Sequence, residues 1–212
     1  MDMEQDEGSH LIQKVIKKDN AKPADCSELP ACSCNGVYRI YPGNSVLGFD
    51  VYCEDGWTVI QKRFDGTTNF FRNWADYKDG FGNISGEYWL GNDKLHTLTS
   101  NKNYSIRFDF TDINDQQAYA IYKTFSVADQ SMKYRMTVGV YNGTAGNSFE
   151  MHSGNEFTTI DNDNDLWTGG NCAGQRHGGY WYKDCGRTNL NCEYKLGQTG
   201  VELMTLACIE CA

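Results

Sequence analysis

The chain has 212 residues, nine cysteines and a formal net charge of −9, from 19 basic and 28 acidic side chains. That balance disfavours nonspecific binding to nucleic acid or to an anionic membrane, and no apolar run approaches the roughly 18 residues that span a bilayer, so membrane insertion is not expected. Ten Phe, 13 Tyr and 5 Trp, with 22 Gly against 3 Pro, argue against disorder and for strands joined by tight turns.

In chain order, residues 1–25 read as an N-terminal tail or stem remnant, and 26–212 as one domain. The first residues are acidic and carry no apolar core, so they are not a secretory signal. Ser9 can cap a short helix with Leu11, Ile12, Val15 and Ile16 on one stripe. This segment is either a mobile tail or the end of a coiled-coil stem, and Pro23 breaks it before Cys26. Strands are expected at Val37 to Tyr41 and Trp57 to Gln61. In Tyr104 to Phe110, the residues Tyr104, Ile106, Phe108 and Phe110 share one face. Tyr119 to Phe125 is another candidate, and Tyr134, Met136, Val138 and Val140 repeat the alternation. Short helices are expected near Trp74 to Lys78 and Asp93 to Leu98, the second capped by Asn92 with Leu95 and Leu98 facing inward. After about Asn142 the alternation stops, and Gly, Asn and Asp dominate through Asn191. Such long-loop regions tend to carry function.

Asp161-Asn-Asp-Asn-Asp165 alternates three carboxylates with amides. Either it binds a hard cation such as Ca²⁺ through oxygen ligands, or it is a solvated acidic turn. It is not an EF-hand, because position six is Leu166 and position twelve is Cys172. Cys172 and Cys185 enclose Gly178-Gly-Tyr-Trp-Tyr182. A disulfide there would close a short loop and stabilise by about 3 kcal/mol in the chain-entropy picture. The alternative is a pair of unrelated thiols. Cys26 and Cys53 are a second reasonable pair. Cys32-Ser-Cys34 has too short a spacing for zinc. Sequons at Asn83, Asn103 and Asn142 offer glycosylation sites. Nine cysteines suit an oxidising compartment, whereas the lack of a signal points the other way, a conflict that a fragment or an incomplete gene reading would reconcile. Catalysis finds little support. The histidines His10, His96, His152 and His177 are scattered, and there is no HExxH, nucleophile elbow or P-loop.

The order of motifs resembles the fibrinogen C-terminal domain family. Matching stretches are Asn35-Gly-Val-Tyr-Arg-Ile-Tyr-Pro42, Val51-Tyr-Cys-Glu54, Gly56-Trp-Thr-Val-Ile-Gln61, Arg72-Asn-Trp74, Tyr77-Lys-Asp-Gly-Phe-Gly-Asn83 and Gly86-Glu-Tyr-Trp-Leu-Gly91. They continue with Gly143-Thr-Ala-Gly146, Asp161 to Asp165, Asn171-Cys-Ala173, Gly179-Tyr-Trp-Tyr182 and Asn189-Leu-Asn191, covering about Cys26 to Gly200. The resemblance implies an α+β fold: a disulfide-stapled N-terminal part, a central twisted antiparallel sheet with short helices, and a loop-rich, calcium-binding C-terminal subdomain. It implies disulfides Cys26–Cys53 and Cys172–Cys185. It places calcium carboxylates on Asp163 and Asp165, with carbonyl ligands on Trp167 and Gly169 (or Gly170).

The ficolin-like and tachylectin-like branches bind acetylated sugars beside that calcium, and the peptide before the second cysteine, Asp184-Cys185 here, is cis in them. By that resemblance the ligand-binding positions are Arg176, His177, Tyr182, Asp184, Cys185 and Gly186. Three departures stand out. Gly186 replaces the usual His, Arg176 replaces an aromatic, and beyond about Val201 nothing matches, so the final strand is expected to be missing. The expected function is that of a secreted, calcium-supported recognition lectin of innate immunity. It would bind acetylated glycans or glycoproteins on microbial or cell surfaces, and it could form homo-oligomers. The alternatives are an extracellular protein-binding adhesion or signalling ligand of the same fold, or a truncated isoform with an impaired pocket. An enzyme is not expected.

Overall fold

Alternating burial builds the sheet. In the computed structural model, which describes residues 22–112, 114–186, 188–194 and the backbone of 200–208, strand β6 (Tyr104–Thr111) buries Tyr104, Ile106 and Phe108 and leaves Ser105, Arg107 and Asp109 on the other face. The period of two thus places one side of the strand on the core. β1 (Gly36–Ile40) and β7 (Gln117–Val127) follow it in part. β8 (Met136–Gly143) buries Met136 and Val138 but, against expectation, exposes Val140, whose φ of 49° breaks the alternation. β3 (Trp57–Lys62) instead buries four successive residues, Thr58 to Gln61. Tyr134 falls outside β8: its φ of 51° belongs to a left-handed turn before the strand. The expected tail helix around Leu11 to Ile16 lies outside the described residues.

Strand β2 (Phe49–Glu54) was not among the expected strands, although Val51 and Cys53 alternate inward. It pairs with β1 and β3, and the disulfide from Cys53 to Cys26 (Cα–Cα 5.6 Å) fastens the N-terminal segment across it. Short strand β5 (Tyr88–Trp89) pairs with β3, and β4 (Phe81–Gly82) pairs with β5.

The final strand is present, contrary to expectation. Residues Gly200–Cys208 form β9, antiparallel to β3 on one side and to β6 on the other. The order is β1-β2-β3-β9-β6-β7-β8. A strand inserted at the centre of a sheet reads as a nearly continuous apolar run rather than as an alternation. Val201-Glu-Leu-Met-Thr-Leu-Ala207 is such a run. Its backbone satisfies donors and acceptors of β3 and β6 that would otherwise be orphaned. Pairing of this strand depends on backbone and hydrophobicity rather than on particular side chains, so no short local motif marks it.

Helix α1 (Trp74–Asp79) begins at Asn73, whose side chain accepts from the Asp76 N–H. Helix α2 (Asn92–Thr99) begins one residue before its expected start. Gly91 rather than Asn92 is the N-cap. At φ 110° Gly91 lies against the Asp79 and Gly80 backbone, where a Cβ would sit 2.7 Å from an oxygen. Leu95 and Leu98 are fully buried, as expected.

Two side-chain devices tie loops to this frame. The buried Glu87 carboxylate accepts backbone N–H groups of Phe64, Asp65 and Gly66 on one oxygen and of Thr68 on the other. The outer edge of β8 is also engaged. Met136 N–H donates to Asn155 O, Gly154 N–H to Met136 O, and Val138 N–H to Ser153 Oγ.

Between β8 and β9 regular structure nearly ends, as expected: among the described residues there are one helix, α3 (Cys172–Arg176), a 3₁₀ turn at Glu150–His152 and bridges between Thr158 and Tyr180 and between Thr159 and Asn162. This region docks through aromatics. Trp181 is fully buried among Trp89, Phe125, Phe149 and Phe157, and its indole N–H donates to Tyr134 O at 2.7 Å. Among the described residues no helix is long and apolar enough to cross a membrane.

Candidate recognition site

The second disulfide and the acidic loop form one unit. Cys172 and Cys185 are bonded, with Cα–Cα 5.0 Å. The Asp165 carboxylate accepts the N–H of Trp167 on Oδ1 and that of Cys172 on Oδ2, both at 2.9 Å. The Asp165 N–H in turn donates to Asp163 Oδ1 at 3.3 Å. Burial pushes the Asp165 carboxyl above its usual range and the neighbouring Asp163 adds to this, against the two backbone N–H bonds. Asp161 faces away from this pair. Its Oδ1 accepts from the Trp74 N–H at 2.8 Å and from Thr159 Oγ1 at 2.7 Å, so it moors the loop to α1. Gly169 approaches the Trp167 indole so closely that a Cβ would lie 2.7 Å from Nε1.

Underneath, a polar network fixes the 178–192 segment to β3 and α1. The Tyr77 hydroxyl donates to Phe70 O and accepts from the Gly179 N–H. Gln61 Nε2 reaches Leu190 O and Asn191 Oδ1, and Asn191 donates on to Gly179 O. The buried Arg63 guanidinium donates to Cys192 O and lies over the Phe70 ring.

The expected ligand positions divide into two groups. Arg176, His177 and Asp184 are exposed. His177 caps α3 at φ 52°, its ring is 5.3 Å from Phe71, and Nδ1 is 3.5 Å from Glu193. Tyr182 is fully buried instead, donating to Gly178 O and accepting from Asn189. Cys185 is buried in its disulfide at φ 50°, and the Asp184–Cys185 peptide is trans, not cis as the lectin resemblance implied. Gly186 lies against the buried imidazole of His152: a Cβ there would be 2.3 Å from its Cε1. His152 Nδ1 donates to Trp181 O at 2.7 Å, and Nε2 has no partner. Burial holds this imidazole below its ordinary range, with the Trp181 bond pulling the other way. His152, Phe71 and the mooring role of Asp161 were not singled out from the sequence. Their partners are distant in the chain, and no local spacing encodes them. The three sequon asparagines, Asn83, Asn103 and Asn142, are all exposed.

The family described as fibrinogen beta and gamma chains, C-terminal globular domain, matches residues 22–205. The chain belongs to this fibrinogen C-terminal domain family. Human fibroleukin is 45% identical over 198 residues, covering 88% of this chain and 44% of the relative. Mouse angiopoietin-related protein 1 is 46% identical over 165 residues, covering 74% and 34%. The chain therefore spans under half the length of these curated relatives. Among solved structures, the fibrinogen-like globe domain of human ANGPTL2 superposes with TM-score 0.80 at 36% identity, covering 87% of this chain and 97% of that one. A lamprey fibrin D-dimer in complex with the peptide Gly-His-Arg-Pro-amide gives TM-score 0.80 at 28% identity, covering 95% and 83%. These relatives point to the fibroleukin and angiopoietin-related branches rather than to the expected ficolin/tachylectin-like one.

Proposed function

We propose that this domain is an extracellular protein-binding module, an adhesion or signalling ligand, rather than a sugar-binding lectin or an enzyme. One observation carries the reading. Of the positions expected to line a sugar pocket, Tyr182 and Cys185 are buried in internal bonds, and Gly186 is packed on His152. Arg176, His177 and Asp184 remain as an open charged surface beside the exposed Phe71. A mixed surface with an aromatic and an arginine suits protein docking. The peptide held by the lamprey fibrin D-dimer supports a peptide ligand for this fold. The two disulfides favour an oxidising compartment.

Calcium supports this surface in our reading. Two adjacent carboxylates, Asp163 and Asp165, repel one another, and a divalent cation relieves that repulsion. Among the described residues no group of three or more His, Cys, Asp or Glu could hold a metal. By the family resemblance the Trp167 and Gly169 (or Gly170) carbonyls complete the site together with water, an oxygen set that suits Ca²⁺.

The test is binding of the purified domain to arrays of extracellular proteins and of acetylated glycans, with calcium and after chelation. The expected result is calcium-supported protein binding that is weakened by Arg176→Glu and by Asp163→Asn. Retention on an N-acetylated resin with elution by free N-acetyl sugar would restore the lectin reading. Binding that survives chelation unchanged would remove calcium from the account.

A further inference from the structure

The two disulfides leave a pair of thiols outside the recognition site. Cys32 and Cys34 are both free and both exposed, one residue apart, between the disulfide residue Cys26 and strand β1. Their segment is held rather than dangling. Ser33 N–H donates to Pro30 O at 2.9 Å, the Tyr38 hydroxyl donates to Cys34 O at 2.7 Å, and the Asn35 side chain accepts from the Asp55 N–H at 2.8 Å. Cys34 also borders a cleft of about 360 Å³ whose far side is the Cys26–Cys53 disulfide. That bond ties Cys26, which precedes both thiols in the chain, to β2.

Exposed thiols in a domain that already carries disulfides react under the same conditions that formed those bonds. A rigid segment lowers the entropic cost of holding two sulfurs in place. Two thiols one residue apart also suit a two-fold arrangement, in which Cys32 of one copy meets Cys34 of the other and the reciprocal pair closes on the same patch.

We propose that Cys32 and Cys34 form a covalent coupling site that joins two copies of this chain. The oxidant is a low-molecular-weight disulfide of the glutathione class. A protein thiolate attacks one sulfur of that disulfide. This forms a mixed disulfide and releases one thiolate, which takes up a proton. The facing thiolate of the second copy then attacks the protein sulfur and expels the second small thiol. Each interchain bond consumes two protein thiols and one small disulfide and yields two small thiols, so two electrons pass to the oxidant.

The experiment uses the whole chain, produced with its two internal disulfides intact and equilibrated in a glutathione redox buffer. Non-reducing electrophoresis is followed by peptide mass mapping. The expected result is a species of twice the chain mass that collapses on reduction, with a cross-linked peptide containing residues 32–34 from both copies. Substituting both residues, C32S with C34S, abolishes that species, and Cys192→Ser leaves it intact. Four results overturn the proposal: a monomer whose Cys32 and Cys34 alkylate without reduction, capping by glutathione alone, an internal bond from Cys32 or Cys34 to each other or to Cys26 or Cys53, or a dimer linked through Cys208 or Cys211. If the double variant fails to fold, the peptide map of the parent chain still decides.

Discussion

The central sheet and the loop-rich C-terminal region are held by different means. Strands β6 and β7 are registered by backbone bonds from Tyr104↔Phe125 to Thr111↔Gln117, and side chains need only supply an apolar face. From Asn142 to Asn191 the backbone has few such partners. There, particular side chains hold it: Asp161 on Trp74, Asp165 on Trp167 and Cys172, Asn191 on Gly179, and a disulfide. In the first region many residues are interchangeable within a polarity class. In the second a single atom can decide the path of the chain.

That contrast can be broken at the seam. Trp181→Ala is expected to cost about 3–5 kcal/mol, because it opens a cavity among four aromatics and orphans Tyr134 O. A calorimetric scan should show one lowered transition. Two separated transitions would mean that the regions are independent. Next in size, replacing Cys172 and Cys185 together by Ser is expected to cost about 3 kcal/mol in the chain-entropy picture. Hydrogen exchange should accelerate in residues 161–186 and leave β6 and β7 protected. Uniform acceleration would erase the distinction.

Glu87→Gln transfers the loop-type logic into the sheet region. A carboxylate that accepts four backbone N–H groups becomes an amide that can accept on one oxygen only. The expected loss is about 1–3 kcal/mol in chemical denaturation, with loosening confined to residues 63–68. A neutral result would show that water replaces the carboxylate.

The smallest effect is a pH dependence. The folded state holds His152 below its ordinary value near 6.5, so the unfolded chain takes up the proton first. Its contribution to stability is complete above about pH 6.5 and is lost as the pH falls below that value. His152→Gln should flatten the curve of melting temperature against pH in this window. An unchanged slope would place the acid sensitivity elsewhere.

Much of the sheet was legible because its code is local. Alternation at 104–108 and at 136 and 138, and the paired leucines at 95 and 98, state their own burial, whereas Val140 is exposed. β9 was not legible, because its position between β3 and β6 depends on which strands arrive beside it. The Cys172–Cys185 bond could be read from motifs. The burial of Tyr182 could not, since Gly178 O and Asn189 reach it only after folding. The contact of Gly186 with His152 joins residues 34 positions apart and leaves no pattern in either segment.

The bonds that Ser153, Gly154 and Asn155 make to β8 have a consequence for crowded solution. An open strand edge is a template on which further chains can stack without limit. Here the first half of that edge is already sealed by the protein's own chain, so growth of a fibre from that side is denied its starting surface. Along that stretch, copies gathered at high local density meet through side-chain patches, whose specificity is written in the sequence, and not through the indiscriminate hydrogen bonding of bare backbone.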